Sequence, residues 1–193
     1  MSTLEIAGFI FGVIGVWLTL HENVWCFPIG LANVILSLFL FFQQKLYADA
    51  LQQLVYIVLL SYGWFAWLRK NEAQQDLKIS VSNNRLLWIC TIAFILCTVV
   101  LGELLSNFTD ATFPWLDSAA TALSFVAQWM IAKKKIENWL IWIVVNILYI
   151  GIYLYKDLWL YSVLFSIYLI LAISGYIRWR KKLKPEYIPA SYT

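Results

Sequence analysis

Seven apolar runs separated by short polar stretches organise the chain, at about 4–20, 25–42, 48–68, 86–105, 117–133, 138–155 and 159–179. Each holds about 17–22 residues, enough for a helix rising 1.5 Å per residue to cross about 30 Å of hydrocarbon. In the sixth run Trp139, Trp142, Asn146, Tyr149 and Tyr153 recur at intervals of three, four, three and four, which is one face of a helix. Asn146 falls at the middle of that run, where a lone amide is costly unless it meets another polar group or a polar ligand. Aromatic rings on either side of it give a slot for a flat molecule, a cation included. The same stripe also fits an aromatic interface belt plus one helix-packing Asn.

Three more runs carry polar stripes at near-helical spacing. The second has Gly30, Asn33, Ser37 and Gln44; the third Asp49, Gln52, Tyr56, Gly63 and Trp67; the fifth Ser118, Thr121, Ser124, Phe125 and Gln128. One such stripe is helix-packing glue, about 0.6–2 kcal/mol per hydrogen bond. Four stripes together predict a shared polar cavity, lined by Asn33, Gln52, Thr121 and Gln128 with the sixth-run residues. Pro28 stands in the first turn of the second run, where a proline is tolerated.

Composition strengthens the membrane reading: 62% of the 193 residues are apolar and 13% charged, against about half and a quarter in soluble domains. The longest polar stretch, Arg69 to Arg85, leaves no room for a soluble domain. The N-terminus has no basic region and no cleavage site follows, so the first run is expected to be retained. Basic residues then set the orientation. Of the 14 Lys and Arg, 12 fall after the third, fifth and seventh runs: Arg69, Lys70, Lys78, Arg85, Lys133, Lys134, Lys135, Arg178, Arg180, Lys181, Lys182 and Lys184. Lys45 and Lys156 take the opposite side. The positive-inside rule predicts an outside N-terminus and a cytoplasmic C-terminus, which an odd number of spans requires. Charges held at a bilayer surface make a nucleic-acid partner unexpected.

The two ends of the chain resemble each other at an offset of 112. Trp17 matches Trp129, and Leu46, Tyr56, Gly63, Trp67 and Lys70 match Leu158, Tyr168, Gly175, Trp179 and Lys182. With one residue of slippage Asn33 matches Asn146. Three spans reverse the chain, and the fourth restores its side. The expected fold is an all-α polytopic membrane protein with seven transmembrane helices in a 3+1+3 arrangement of parallel repeats. The boundaries are 1–70 for repeat one, 71–116 for the linker with helix four, 117–182 for repeat two and 183–193 for a cytoplasmic tail. Such proteins place substrate between the repeats near mid-depth.

No Asp, Glu, Lys, Arg or His lies in the central third of any run, which argues for movement down a gradient without proton or sodium coupling. Cys26, Cys90 and Cys97 form no CxxC pair, and His21 is the single histidine. Neither a disulfide framework, a metal site nor a cofactor is indicated. No phosphate loop, HExxH, GxSxG or paired intramembrane carboxylate is present, so an enzyme is not expected.

The run Glu137-Asn138-Trp139-Leu140-Ile141-Trp142 followed by Asn146 resembles the signature of the PnuC family of bacterial vitamin transporters. So do Gln44-Lys45-Leu46-Tyr47-Ala48, then Tyr62-Gly63-Trp64-Phe65-Ala66-Trp67, and Phe113-Pro114-Trp115-Leu116-Asp117-Ser118. The likeness covers nearly the whole chain. It implies a multi-pass bacterial inner-membrane facilitator for nicotinamide riboside, a homotrimer, with the vitamin trapped after entry by a separate cytoplasmic kinase. It also implies that Trp139, Trp142, Asn146 and Tyr149 contact ligand. The residues agree with a small cationic vitamin: Trp faces suit a pyridinium, and amides and tyrosine hydroxyls suit a carboxamide or ribose. A doubly charged nucleotide finds no Arg or Lys at depth. Thiamine, another flat cation, and riboflavin are same-family alternatives. A sugar uniporter of the SWEET kind shares the 3+1+3 architecture, and a non-transporting membrane adaptor would use the stripes for packing alone.

Overall fold

The computed structural model describes residues 3–43, 47–69, 77–110 and 112–183. Gln44, Lys45, Leu46, Lys70 and the tail from Lys184 lie outside the described residues. Seven helices follow the seven apolar runs: α1 (Thr3–Leu20), α2 (Cys26–Gln43), α3 (Tyr47–Leu68), α4 (Asn84–Phe108), α5 (Pro114–Ala132), α6 (Glu137–Tyr155) and α7 (Trp159–Lys182). Five of them, α2, α3, α4, α6 and α7, are long and apolar enough to cross a membrane. In α1 the apolar stretch is shorter, Ile6–Leu20. The chain is an all-α polytopic membrane protein. Helix ends differ from the hydropathy limits where local chemistry sets them. Pro114 takes the first position of α5, where its missing N–H costs nothing. The Asn83 side chain caps α4 by accepting from the Leu86 N–H at 2.9 Å. The last turn of α7 holds Arg180, Lys181 and Lys182, a polar extension beyond the apolar run.

The helices meet in cyclic order: α1 on α2, α2 on α3, α3 on α5, α5 on α6, α6 on α7, and α7 back on α1. Helix α4 packs on α5, where Gly102 lets the Trp115 ring approach closer than any Cβ would permit. The cyclic order is unchanged when α1, α2 and α3 are exchanged for α5, α6 and α7. Helix α5 is the most enclosed, with Ala120, Ala122, Ala127 and Met130 fully buried. Small residues rather than strong hydropathy let it touch α3, α4 and α6 together. Helix α6 is ordered the other way from a soluble helix. Leu140, Val144 and Ile147 are exposed while Asn138, Trp139, Val145 and Asn146 are buried, as a lipid-facing helix with a polar inner face requires.

The turns repeat as well. After α1, Glu22 N–H bonds the Thr19 carbonyl at 2.9 Å and Asn23 N–H bonds Leu18 at 3.0 Å. After α5, Lys134 N–H bonds Ile131 at 2.8 Å and Lys135 N–H bonds Met130 at 2.9 Å. Glu22 and Lys134 both take the left-handed conformation, at φ 56° and 48°. This is the Schellman closure of a helix end, made by residues 112 apart after α1 and α5 and again by Asp157 after α6. The segment 77–82 then straps the second turn. Ser80 N–H donates to the Lys134 carbonyl and Ile136 N–H to the Ser80 carbonyl, each at 3.1 Å. The Glu137 carboxylate accepts from the Ser82 N–H at 2.7 Å and its hydroxyl at 2.9 Å.

Candidate functional site

The α6 stripe faces inward along its whole length. At one end Trp139 is a packing residue, 1% exposed, with its ring edge-on to Trp179 at 5.4 Å. Gly175 makes room for it, since a Cβ there would stand 2.7 Å from the indole. The first three-helix unit repeats the device, with Phe27 edge-on to Trp67 at 5.0 Å and lying over Gly63. Trp142 packs against the same apolar cluster from its border. The Nε1 atoms of Trp139 and Trp142 are both buried and without a hydrogen-bond partner among the described residues. An unmet buried N–H costs about 1–3 kcal/mol, so two on one stripe mark a place where a polar partner is wanted. Asn146 follows one turn on, 2% exposed.

Beyond Asn146 the stripe meets polar groups from α3 and α5. The Tyr149 hydroxyl meets the Thr121 and Gln52 side chains. The Tyr56 hydroxyl meets Ser124 and the same Gln52, and its ring lies 5.4 Å from Phe125. Gln52 thus lies beside two tyrosines. Tyr149, Tyr153 and Phe165 form an aromatic wall, with Phe165 at 4.8 Å from Tyr149 and 5.3 Å from Tyr153. At that end of the bundle Lys156 stands 3.9 Å from Asp117. The opposite end holds Glu22, whose carboxylate pairs with Lys134 at 3.1 Å and with Lys182. Burial of Glu22 opposes its ionisation, but the Lys182 and Lys134 ammonium groups outweigh it and hold the carboxyl below its ordinary range.

Of the residues singled out by spacing, Gln52, Thr121 and Tyr149 come together directly, and Asn146 and Trp142 lie on the same face of α6. Gln128 is buried on α5, one turn beyond Ser124. The Asn33 amide lies against Gly8 and Gly12 of α1. Gly12 also faces the Tyr168 hydroxyl, which stands where a Cβ would lie. Tyr168 was not among the expected lining residues. The signal that finds it is its match to Tyr56, because the two tyrosines occupy corresponding positions in the two units. Among the described residues no cluster of His, Cys, Asp and Glu is placed to hold a metal ion.

A family model described as nicotinamide mononucleotide transporter matches residues 2–181. The nicotinamide riboside transporter PnuC of Escherichia coli strain K12 is 28% identical over 204 residues, spanning 93% of this chain and 85% of that protein. The riboflavin/roseoflavin transporter RibM of Streptomyces davaonensis is 26% identical over 148 residues, spanning 74% of this chain and 68% of its own length. The crystal structure of the vitamin B3 transporter PnuC aligns with a TM-score of 0.74 and 25% identity, covering 92% of this chain and 80% of that one. With its seven helices and a family match running almost from end to end, the chain belongs to the nicotinamide mononucleotide transporter family, that of the PnuC proteins.

Proposed function

We propose that the protein is a bacterial inner-membrane uniporter for nicotinamide riboside, which binds between the three-helix repeats 1–70 and 117–182 and is trapped afterwards by a separate cytoplasmic kinase. The observation that carries this reading is the inner face of α6. There Trp142 offers a buried, unpartnered indole N–H, Asn146 a buried amide, and Tyr149 a hydroxyl set against Gln52 and Thr121. A Trp face within about 6 Å of a pyridinium gains about 0.5–2 kcal/mol. The amide and hydroxyls suit the carboxamide and ribose. The relatives named for nicotinamide riboside support the substrate.

The N-terminus is placed outside and the C-terminus in the cytoplasm. In support, the turn after α1, the turn after α5 and the end of α7 meet through the Glu22, Lys134 and Lys182 contacts, at the basic end of the bundle. The assembly is taken to be a homotrimer, with the outward face of α4, including Trp88, Ile92 and Phe108, given to lipid or subunit contact.

The test is calorimetric titration of the purified protein with nicotinamide riboside, thiamine, riboflavin and nicotinamide mononucleotide. Nicotinamide riboside is expected to bind at least tenfold tighter than the rest, and tightest binding of another compound would replace the substrate. The similarity to RibM makes riboflavin the specific rival.

A further inference from the structure

The contact between Glu22 and Lys134 joins positions 112 residues apart, the spacing that relates Trp67 to Trp179 and Gly63 to Gly175. Glu22 and Lys134 therefore correspond to each other. They end corresponding helices, take the same left-handed conformation and close the same turn. A residue and its copy touch across a two-fold only near the axis itself. The Lys134 Nζ lies 3.1 Å from the Glu22 carboxylate, so this ion pair sits on the pseudo-two-fold axis, at the end of the bundle that carries the basic turns.

Two further pairs flank it as near copies, their donors 112 residues apart and their acceptors one residue out of that register. Trp67 Nε1 of α3 donates to the Ile131 carbonyl at the end of α5, at 3.2 Å. Trp179 Nε1 of α7 donates to the Leu20 carbonyl at the end of α1, at 3.3 Å. Each indole crosses from one unit to the other. Lys134 also lies over the Trp67 ring at 4.5 Å, and Lys182 adds a second cation to Glu22. Cys26, the first residue of α2, is buried in the same apolar cluster as Trp67 and Trp179, 4% exposed. Had both copies kept one sign of charge at this position, they would repel across the axis. Opposite signs turn the same geometry into a closure.

We propose that the Glu22–Lys134 pair, held between the Trp67 and Trp179 crossings, is the gate that closes the path between the repeats at the basic end, and that this gate must part for substrate to leave there. The inference rests on the proposed passage of substrate between the repeats.

The natural thiol in the cluster of the two crossing indoles gives the test. In a Cys90→Ser/Cys97→Ser background, Cys26 of the purified protein is labelled with a small polar maleimide. Glu22→Gln should raise the labelling rate at least tenfold while thermal melting stays cooperative. An unchanged rate overturns the gate. A second variant guards against simple loosening of the fold. Glu22→Cys/Lys134→Cys, with all three native cysteines changed to Ser, is joined by a short reducible bis-thiosulfonate. Cross-linking should cut nicotinamide riboside uptake into proteoliposomes at least tenfold, and reduction should restore it. Full uptake by completely cross-linked protein also overturns the gate. If the wild type binds no nicotinamide riboside yet Glu22→Gln still exposes Cys26, the substrate falls and the gate stands. If nicotinamide riboside binds and Cys26 stays protected, the gate alone falls.

Discussion

Trp142 and Trp139 show how one residue type serves two ends on one helix face. Trp139 is enclosed by Gly175 and Trp179, so its contribution is chiefly packing. Trp142 is half-buried at the border of the apolar cluster and, like Trp139, keeps an indole N–H without a partner among the described residues, so it has both ring face and N–H to offer a ligand. Trp142→Ala or Asn146→Ala should weaken nicotinamide riboside at least tenfold in calorimetry with the melting temperature nearly kept. Loss of a stacked ring or a buried polar contact costs about 1–3 kcal/mol. Trp142→Phe separates the two terms, since it keeps the ring and removes the N–H. Glycines give the complementary test. Gly175→Ala drives a methyl into the Trp139 indole, and overpacking of that kind costs about 1–3 kcal/mol. Gly151→Ala meets nothing within 4 Å and should be neutral or mildly stabilising. Equal melting temperatures for the two variants would mean that the Trp139 ring yields freely.

At the scale of elements, the seven helices are legible because hydropathy must match membrane depth, and their inner faces because Asn33, Gln52, Thr121 and Asn146 interrupt apolar runs at helical spacing. Contacts between distant elements are not legible in that way. Nothing near Trp139 in the chain announces Gly175 as its partner, and nothing near Lys135 announces the strap from Ser80. Nothing near Asn33 in the chain announces its contact with the α1 glycines Gly8 and Gly12, a placement that only the helix packing decides. The turn after α1 carries its own prediction. Glu22 has a folded-state value held below its ordinary 4.5 by Lys182 and Lys134, against the opposing effect of burial. A depressed carboxylate adds stability that is complete above the unfolded value and fades as pH falls through the folded one. The melting-temperature difference between wild type and Glu22→Gln should therefore hold steady from pH 8 to about 5 and shrink below about 4.5. A difference that grows on acidification would contradict the ion pair.

At the scale of the whole molecule, the cyclic helix order and the two ion-paired ends describe a bundle whose charges are confined to its rims. Glu22, Lys134 and Lys182 lie at one end and Asp117 with Lys156 at the other. Between them the inner face offers amides, hydroxyls and aromatic rings. A proton-coupled carrier needs a group that takes up and gives back a proton along the path, and intramembrane ionisable residues commonly supply it. The central thirds of these helices contain no Asp, Glu, Lys, Arg or His. Uptake of nicotinamide riboside into sealed vesicles is therefore expected to need no proton or sodium gradient. The permanent charge of the proposed substrate still responds to voltage, at about 2.3 kcal/mol per 100 mV for each charge moved. Clamping the potential with potassium and valinomycin separates the two effects. At fixed potential, a step in pH or sodium should leave the steady accumulation unchanged, whereas a step in potential should move it by the amount one charge allows. Accumulation above that voltage-set level, seen only with an ion step, would require a coupling site. The backbone near Pro28 in the first turn of α2 and near Trp139 in the first turn of α6 would then be the place to look, because there a cation could be bound by carbonyl oxygens without any ionised side chain.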